Sequence, residues 1–100
     1  MLEQGIQAKI IKNLEANNFY VVNVITASKK GVTDIIACSP IGQFWSIEVK
    51  RPGFKPSKLQ YWNLNQVKKR HGVSFYADSY DDFRQKFTEQ VELQTRLLKQ

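Results

Sequence analysis

The chain opens with a helical pattern of apolar residues and then changes to short runs typical of strands. One apolar face recurs every fourth position, at Leu2, Ile6, Ile10 and Leu14, and predicts an amphipathic helix over residues 2–16. Runs rich in β-branched and aromatic residues predict strands over 19–25, 32–38, 43–50 and 73–77. Helical spacing returns over about 57–70 and again from residue 80 towards the end. This order predicts an α/β fold.

The second and third predicted strands are joined by Ser-Pro-Ile-Gly-Gln at 39–43, which predicts a hairpin with a three-residue loop. Pro40 suits the first central position of a type I turn, and Gly42 suits the left-handed residue that follows. The loop pairs residue 39 with residue 43. The same register places Asp34 directly opposite Glu48.

Two carboxylates on neighbouring strands predict a cation site. Directly opposed residues on one face of a sheet lie about 4.5–5.5 Å apart at Cβ, so two like charges there repel unless a cation compensates. Hard divalent ions such as Mg²⁺ or Mn²⁺ prefer oxygen ligands, and the candidates are Asp34, Glu48 and the Val49 carbonyl. Lys50 follows Glu48 by two residues and therefore shares its face. A lysine there stabilises charge on a phosphate or helps to activate water.

These residues resemble the PD-(D/E)XK nuclease superfamily and, more narrowly, the virus-type replication-repair nuclease (VRR-NUC) family. The similarity runs from Gly-Val-Thr-Asp at 31–34, through Ile-Glu-Val-Lys-Arg-Pro-Gly at 47–53, to Gln60, and it spans roughly residues 3–83. Thr33 departs from the superfamily, which often has proline at that position. The resemblance implies a restriction-endonuclease-like αβββαβ core, with a mixed four-stranded sheet flanked by helices, plus a C-terminal helix.

The resemblance also implies an activity, that of a metal-dependent DNA endonuclease. The catalytic residues that it implies are Asp34, Glu48, Lys50, Gln60 and Glu3. Gln60 matches a glutamine that helps to place the attacking water or a phosphate, but with Ser57 it equally predicts a helix capping box. Glu3 matches an active-site glutamate near the start of the first helix, and it also suits a solvated first turn, where the helix dipole favours an acid. Both alternatives stay open for each residue.

Positive charge is concentrated where acids are missing. The net charge is +6, from 15 Lys and Arg against 9 Asp and Glu, and residues 49–77 contain no acid. A stretch of one sign beside a carboxylate pair favours a polyanion such as nucleic acid, although a solvated basic surface is the alternative. The candidate nucleic-acid-binding residues are Lys29, Lys30, Arg51, Lys55, Lys58 and Lys68.

The size and composition predict one domain over residues 1–100, since 42% of the residues are hydrophobic and the chain is short. The single cysteine, Cys38, is expected to be a small core residue and excludes an intramolecular disulfide. No targeting signal and no apolar run of about 20 residues is seen, so a cytoplasmic protein without a membrane partner is expected. On the helix that begins near residue 57, Leu59, Trp62 and Val67 are expected to pack inward.

The apolar stripe of the last helix continues beyond Phe87, where the core is expected to be full. That tail is expected to pack on another subunit of a homodimer, with a frayed end as the alternative. The family resemblance adds the four-way DNA junction as the expected substrate. A sequence-specific or flap-type endonuclease and a non-catalytic nucleic-acid-binding module are the alternatives.

Overall fold

The computed structural model describes residues 2–99 and has the predicted order of elements. The helices are α1 (Glu3–Ala16), α2 (Lys58–Lys69) and α3 (Tyr80–Leu98). The strands are β1 (Tyr20–Asn23), β2 (Ile35–Cys38), β3 (Phe44–Val49) and β4 (Val73–Ala77). The αβββαβ core and the added C-terminal helix are therefore confirmed. None of the helices in this part of the chain is long and apolar enough to span a membrane.

One mixed sheet with the order β1-β2-β3-β4 forms the centre of the fold. The first three strands are antiparallel neighbours, and β4 runs parallel to β3 after the crossover through α2. The hairpin has the predicted register, in which Ile35 pairs with Ile47. The Ser39 amide donates to the Gln43 carbonyl at 2.9 Å, and Gly42 has a φ of 80°, as the three-residue loop requires.

The two faces of the sheet are unlike. One face packs against α1 and α3 and holds the hydrophobic core, centred on Trp45, whose ring lies 5.0 Å from the ring of Phe19 and 5.6 Å from that of Phe87. The other face packs against α2, which buries only Leu64. Because side chains alternate along a strand, Val49 belongs to the core face, and Glu48 and Lys50 belong to the α2 face.

Two predictions about burial are wrong, and both errors concern the α2 face. Leu59 and Trp62 are 47% and 53% exposed, and Val67 is only partly buried, because the side of α2 that meets the sheet carries Gln60 and Leu64. Cys38 is exposed. It lies at an even position of β2, on the same face as Glu48, whereas α2 packs on β3 and β4.

Three strands are shorter than predicted. β1 covers 20–23 instead of 19–25, β2 begins at Ile35 instead of residue 32, and β3 covers 44–49 instead of 43–50. Asp34 therefore lies just outside the regular strand. On α3, Phe83 is fully buried and Phe87 packs against the core, whereas the apolar residues beyond them are exposed, namely Val91, Leu93, Leu97 and Leu98. The subunit contact expected for this tail stays a prediction.

Candidate active site

Glu48 is the most buried charged group of the site. It lies near the end of β3, is 2% exposed, and its Oε2 accepts a hydrogen bond from Gln60 Nε2 at 2.9 Å. Its other oxygen, Oε1, is buried and has no hydrogen-bond partner among residues 2–99. Burial, together with the nearby charge of Asp34, raises the pKa of Glu48 from 4.5 to about 7, and Lys50 and the backbone of Asp34 act in the opposite direction. A buried carboxylate oxygen without a donor fits a cation as its missing partner.

Asp34 connects the three antiparallel strands just beyond their last regular pairs. Its carbonyl accepts from the Val24 amide at 2.8 Å, which extends the pairing of β1 and β2. Its side-chain Oδ2 accepts from the Val49 amide at 2.9 Å, in the place of a backbone bond between β2 and β3. This contact fixes the carboxylate beside the end of β3. The sequence had suggested only the Val49 carbonyl as a participant, and the role of its amide was missed.

Thr33 has a structural role that the sequence did not reveal. It is 2% exposed, and its hydroxyl hydrogen-bonds to the hydroxyl of Ser46, which is also buried. The same Thr33 oxygen donates to the Ile35 carbonyl at 3.3 Å. The bond to Ser46 attaches the segment before Asp34 to β3, and the bond to Ile35 attaches it to the start of β2. A threonine therefore anchors the chain here, at the position where the resembling superfamily often has proline.

Lys50 lies beside Glu48, as the alternation of β3 predicted. Its Nζ is 3.5 Å from Glu48 Oε2, and its side chain is 19% exposed. The Lys50 amide donates to the Ala77 carbonyl at 2.9 Å, so β4 fixes the backbone of this residue. The ammonium group is therefore close to the carboxylate and still reaches solvent, where a phosphate can approach it.

The capping box expected for Gln60 is confirmed, its side chain also reaches Glu48, and its role in placing water or a phosphate stays a prediction. The Gln60 amide donates to Ser57 Oγ at 3.2 Å, and Gln60 Oε1 accepts from the Ser57 amide at 2.9 Å, which completes a capping box at the start of α2. The remaining group, Nε2, donates to Glu48. One side chain thus starts the helix and orients the buried carboxylate.

Glu3 is placed at the edge of the site, not among the buried carboxylates. Its Oε1 lies 3.8 Å from Arg51 Nε, and the two side chains are 46% and 60% exposed. Within the described residues no three His, Cys, Asp or Glu side chains are grouped for metal binding, so Glu3 does not form a triad with Asp34 and Glu48. Its contact with the site runs through Arg51, the neighbour of Lys50.

The arrangement fits a hard divalent cation that keeps part of its water shell. Two carboxylates, one with an unpartnered oxygen, are the kind of donors that Mg²⁺ takes from proteins, and Mg²⁺ usually binds only one or two carboxylates together with water and substrate phosphate. A larger cluster of side chains is not needed for such an ion. Asp34, Glu48 and the carbonyl of Val49 are the residues that would hold it.

All six candidate nucleic-acid-binding residues are exposed. Lys29 and Lys30 precede β2, Arg51 and Lys55 follow β3, and Lys58 and Lys68 lie at the two ends of α2. Sequence reasoning missed the exposed ring of Trp62, because this residue was expected inside. The available signal was the position of Trp62 within the acid-free stretch 49–77.

Comparisons with known proteins find the same fold. No protein-family model matches the sequence, and no curated protein matches it. Among the solved structures, a VRR_NUC domain matches with a TM-score of 0.76 and 23% sequence identity, over 86% of this chain and 94% of that chain. At this identity the likeness concerns the fold. The chain therefore has the fold of a VRR_NUC domain, as the resemblance implied.

Proposed function

We propose that this chain is a metal-dependent endonuclease that hydrolyses phosphodiester bonds in DNA. The observation that carries this proposal is Glu48, a carboxylate that is 2% exposed, keeps one oxygen without a donor and lies beside a second carboxylate, that of Asp34. A buried pair of this kind is unfavourable unless a cation completes it. The likeness to a VRR_NUC domain supports the same chemistry.

In this proposal Asp34, Glu48 and the Val49 carbonyl would hold Mg²⁺ or Mn²⁺. The ion would supply Lewis-acid chemistry, namely polarisation of the phosphate and a lowered pKa of the attacking water. Gln60 keeps the Glu48 carboxylate oriented through its 2.9 Å bond, and the Val49 amide does the same for Asp34. Lys50 stabilises the negative charge that develops on the phosphate.

DNA is the proposed substrate because every formally charged side chain in the stretch that follows Glu48, up to residue 77, is basic. The acid-free stretch 49–77 includes Lys50, Arg51, Lys55 and Lys58, which follow the site along the chain. Such a surface binds phosphates without regard to sequence and makes affinity fall steeply with salt. Sequence-specific and flap-type cleavage are the alternatives within the same chemistry.

The preferred form of the substrate is a four-way junction, cut by a homodimer. A single site cuts one strand, so two sites related by symmetry are needed to cut a branched molecule on both sides. The exposed apolar residues of α3 beyond Phe87 are the surface that would join the subunits. The junction itself is proposed from the family resemblance.

Cleavage is tested with labelled four-way junction, linear duplex and single strand, each with Mg²⁺, Mn²⁺ or EDTA. We expect cleavage with either metal and none with EDTA, and loss of cleavage in Glu48→Ala. Glu92→Gln, which changes an exposed carboxylate of α3, is the matched control and should cleave normally. If the protein binds DNA but does not cleave it with Mg²⁺, Mn²⁺ or EDTA, the proposed endonuclease activity is refuted and a non-catalytic binding module is supported.

The homodimer is tested by light scattering after gel filtration. We expect a dimer for the natural sequence and a monomer for the double variant Leu93→Lys, Leu97→Lys, which charges two exposed leucines one turn apart on α3. Thr88→Lys, on an exposed position of the same helix, should leave the dimer intact. A natural sequence that elutes as a monomer would remove the dimer from the proposal.

A further inference from the structure

A second cleft lies away from the carboxylate pair, at the other end of α2. Its volume is about 730 Å³, and it opens between α2, the hairpin before β3 and the loop before β2. Its walls carry two rings, Phe44 and Trp62, which are 49% and 53% exposed. A cleft of this size lies in the range that holds small ligands and cofactors.

The charged groups of this cleft are all basic. The lining includes Lys29 and Arg70 together with the polar side chains of Asn63 and Gln66, and it contains no carboxylate. Rings beside cations form a surface for a ligand with both a flat aromatic part and a negative charge. A nucleotide has both, since its base stacks on rings and its phosphate pairs with Lys or Arg.

One wall of this cleft is formed by consecutive turns of α2 and by the residue that caps its end. Trp62, Gln66 and Arg70 recur every four residues and therefore lie along one side of α2. The Arg70 guanidinium donates to the Gln66 carbonyl at 3.1 Å and to Gln66 Oε1 at 3.0 Å, which leaves its other N–H groups for a ligand.

The loop that carries Lys29 is packed tightly against α2. Gly31 has a φ of 77°, and a Cβ at this position would lie 2.7 Å from Leu59 Cγ and 2.9 Å from Asn63 Nδ2. The same Asn63 nitrogen donates to the Lys30 carbonyl at 3.2 Å. A glycine at 31 therefore lets the loop approach α2 closely enough for Lys29 to line the same cleft as Trp62.

The cleft and the carboxylate pair share one face of the sheet. Phe44 and Glu48 are four residues apart on β3, and even positions of this strand point towards α2. At about 3.3 Å per residue they are separated by about 13 Å along the strand. A nucleic acid held at Glu48 therefore reaches the cleft within a few nucleotides.

We infer that this cleft, formed by Lys29, Phe44, Trp62 and Arg70, binds an unpaired nucleotide of the DNA substrate, an inference that rests on the proposed function. The base stacks on Trp62, and its phosphate pairs with Lys29 and Arg70. The base faces of a duplex are covered by their neighbours, so only an unstacked base can use the exposed rings. The cleft thus favours DNA in which a base near the scissile bond is unstacked, as at a branch point.

Binding is tested with the full chain in EDTA, so that cleavage does not interfere. The probes are an oligothymidylate and a blunt duplex of two annealed strands with the same total number of nucleotides, and the signal is tryptophan fluorescence. Trp45 is 2% exposed and is shielded, whereas Trp62 is 53% exposed, so a bound base should quench Trp62. We expect quenching by the oligothymidylate, little by the duplex, and none in Trp62→Phe.

Affinity is measured in parallel by anisotropy of labelled DNA. Trp62→Ala should weaken oligothymidylate binding about tenfold, the loss of one stacked base, and leave duplex binding within about twofold. Arg70→Gln should weaken single-strand binding and reduce its salt slope by about one. Tyr20→Ala, an exposed ring on β1 outside the cleft, and Lys12→Gln, a lysine of α1, are the matched controls and should bind normally.

Equal loss of duplex and single-strand binding in Trp62→Ala would overturn the inference, and so would unchanged binding to both. The proposed nuclease is judged separately. With saturating protein and Mg²⁺, Trp62→Ala should still cut a four-way junction, whereas Glu48→Ala should not. Junction cleavage by the natural sequence, with single-strand binding unchanged in Trp62→Ala, would remove the cleft and keep the nuclease. Single-strand binding that depends on Trp62, without cleavage of any DNA, would remove the nuclease and keep the cleft.

Discussion

Replacing Glu48 with glutamine should stabilise the metal-free protein above neutral pH, although it removes a proposed metal ligand. The glutamine oxygen can still accept from Gln60, and the new amide group can donate to Asp34 across the hairpin. The substitution removes a buried negative charge and the repulsion between two carboxylates. Both effects raise the pKa of Glu48 in the natural protein.

The magnitude follows from the difference in proton binding between the folded and unfolded states. Because the folded protein raises the pKa of Glu48, its favourable contribution is fully present below 4.5 and is lost as the pH rises through about 7. A shift from 4.5 to about 7, at about 1.36 kcal/mol per unit, corresponds to roughly 3 kcal/mol. Between about pH 5 and about pH 8 we expect Glu48 alone to lower the free energy of unfolding by about 2–3 kcal/mol.

The assay is urea denaturation in EDTA across this pH range, followed by tryptophan fluorescence. The difference in unfolding free energy between Glu48→Gln and the natural sequence should grow with pH, whereas that of Glu92→Gln, an exposed carboxylate, should stay constant. Mg²⁺ should then stabilise the natural protein and not Glu48→Gln, because only the folded carboxylate pair binds it. A difference that does not change with pH would refute the electrostatic reasoning.

Three further variants test individual contacts. Lys50→Ala should lower the rate of cleavage by at least about 100-fold in single-turnover assays, because the Lys50 ammonium lies 3.5 Å from the Glu48 carboxylate. Its circular dichroism spectrum should stay unchanged, because β4 holds the backbone of Lys50. The control Lys12→Ala should cut normally, and a fully active Lys50→Ala would exclude a catalytic role for Lys50. Leu64→Ala should lower the free energy of unfolding by about 2–4 kcal/mol and Leu59→Ala by clearly less, because Leu64 is 2% exposed and Leu59 is 47% exposed. Equal losses of unfolding free energy in urea denaturation would contradict this assignment of the faces of α2. Gly31→Ala should lower the free energy of unfolding more than Gly42→Ala does. Both glycines have a positive φ, but only a Cβ at position 31 meets other side chains. Similar melting temperatures for the two variants would contradict the tight packing of the loop at Gly31.

The sequence predicted those parts of the fold that depend on turn and capping residues close together in the chain. The hairpin register followed from one loop, because Gly42 accepts the left-handed conformation that closes a three-residue turn. The start of α2 followed from Ser57 and Gln60, whose capping box is entirely local. The juxtaposition of Asp34, Glu48 and Lys50 then followed from the alternation of side chains along paired strands.

The sequence did not predict which side of α2 meets the sheet. Leu59, Trp62 and Val67 are more apolar than Gln60, so helical periodicity alone favoured burying them. The structure instead turns Gln60 and Leu64 towards β3, where Gln60 donates a hydrogen bond to one oxygen of the buried Glu48 carboxylate, a contact that helical periodicity does not reveal. Cys38 was misplaced for a related reason, since its burial depends on how far α2 extends across the sheet.

The contacts of Asp34 and Thr33 were out of reach of sequence patterns for a different reason. Each involves a side chain that replaces or supplements a backbone bond at the end of a strand, namely Asp34 to the Val49 amide and Thr33 to Ser46. Such bonds depend on where regular pairing stops. Strand ends are set by the whole sheet, and β2 began three residues later than predicted.

The residues that stabilise the fold and the residues proposed to bind nucleic acid lie mainly on opposite faces of the sheet. The aromatic cluster around Trp45 lies on the side of α1 and α3, and the carboxylates and the cleft of Trp62 lie on the side of α2. The exposed residues of α2 and its C-cap that line the cleft, such as Trp62 and Arg70, are therefore open to exchange, as a way to alter which nucleic acid is bound, with little penalty in folding. A directed-evolution library restricted to the exposed positions of α2 would explore new specificities on a scaffold that stays intact.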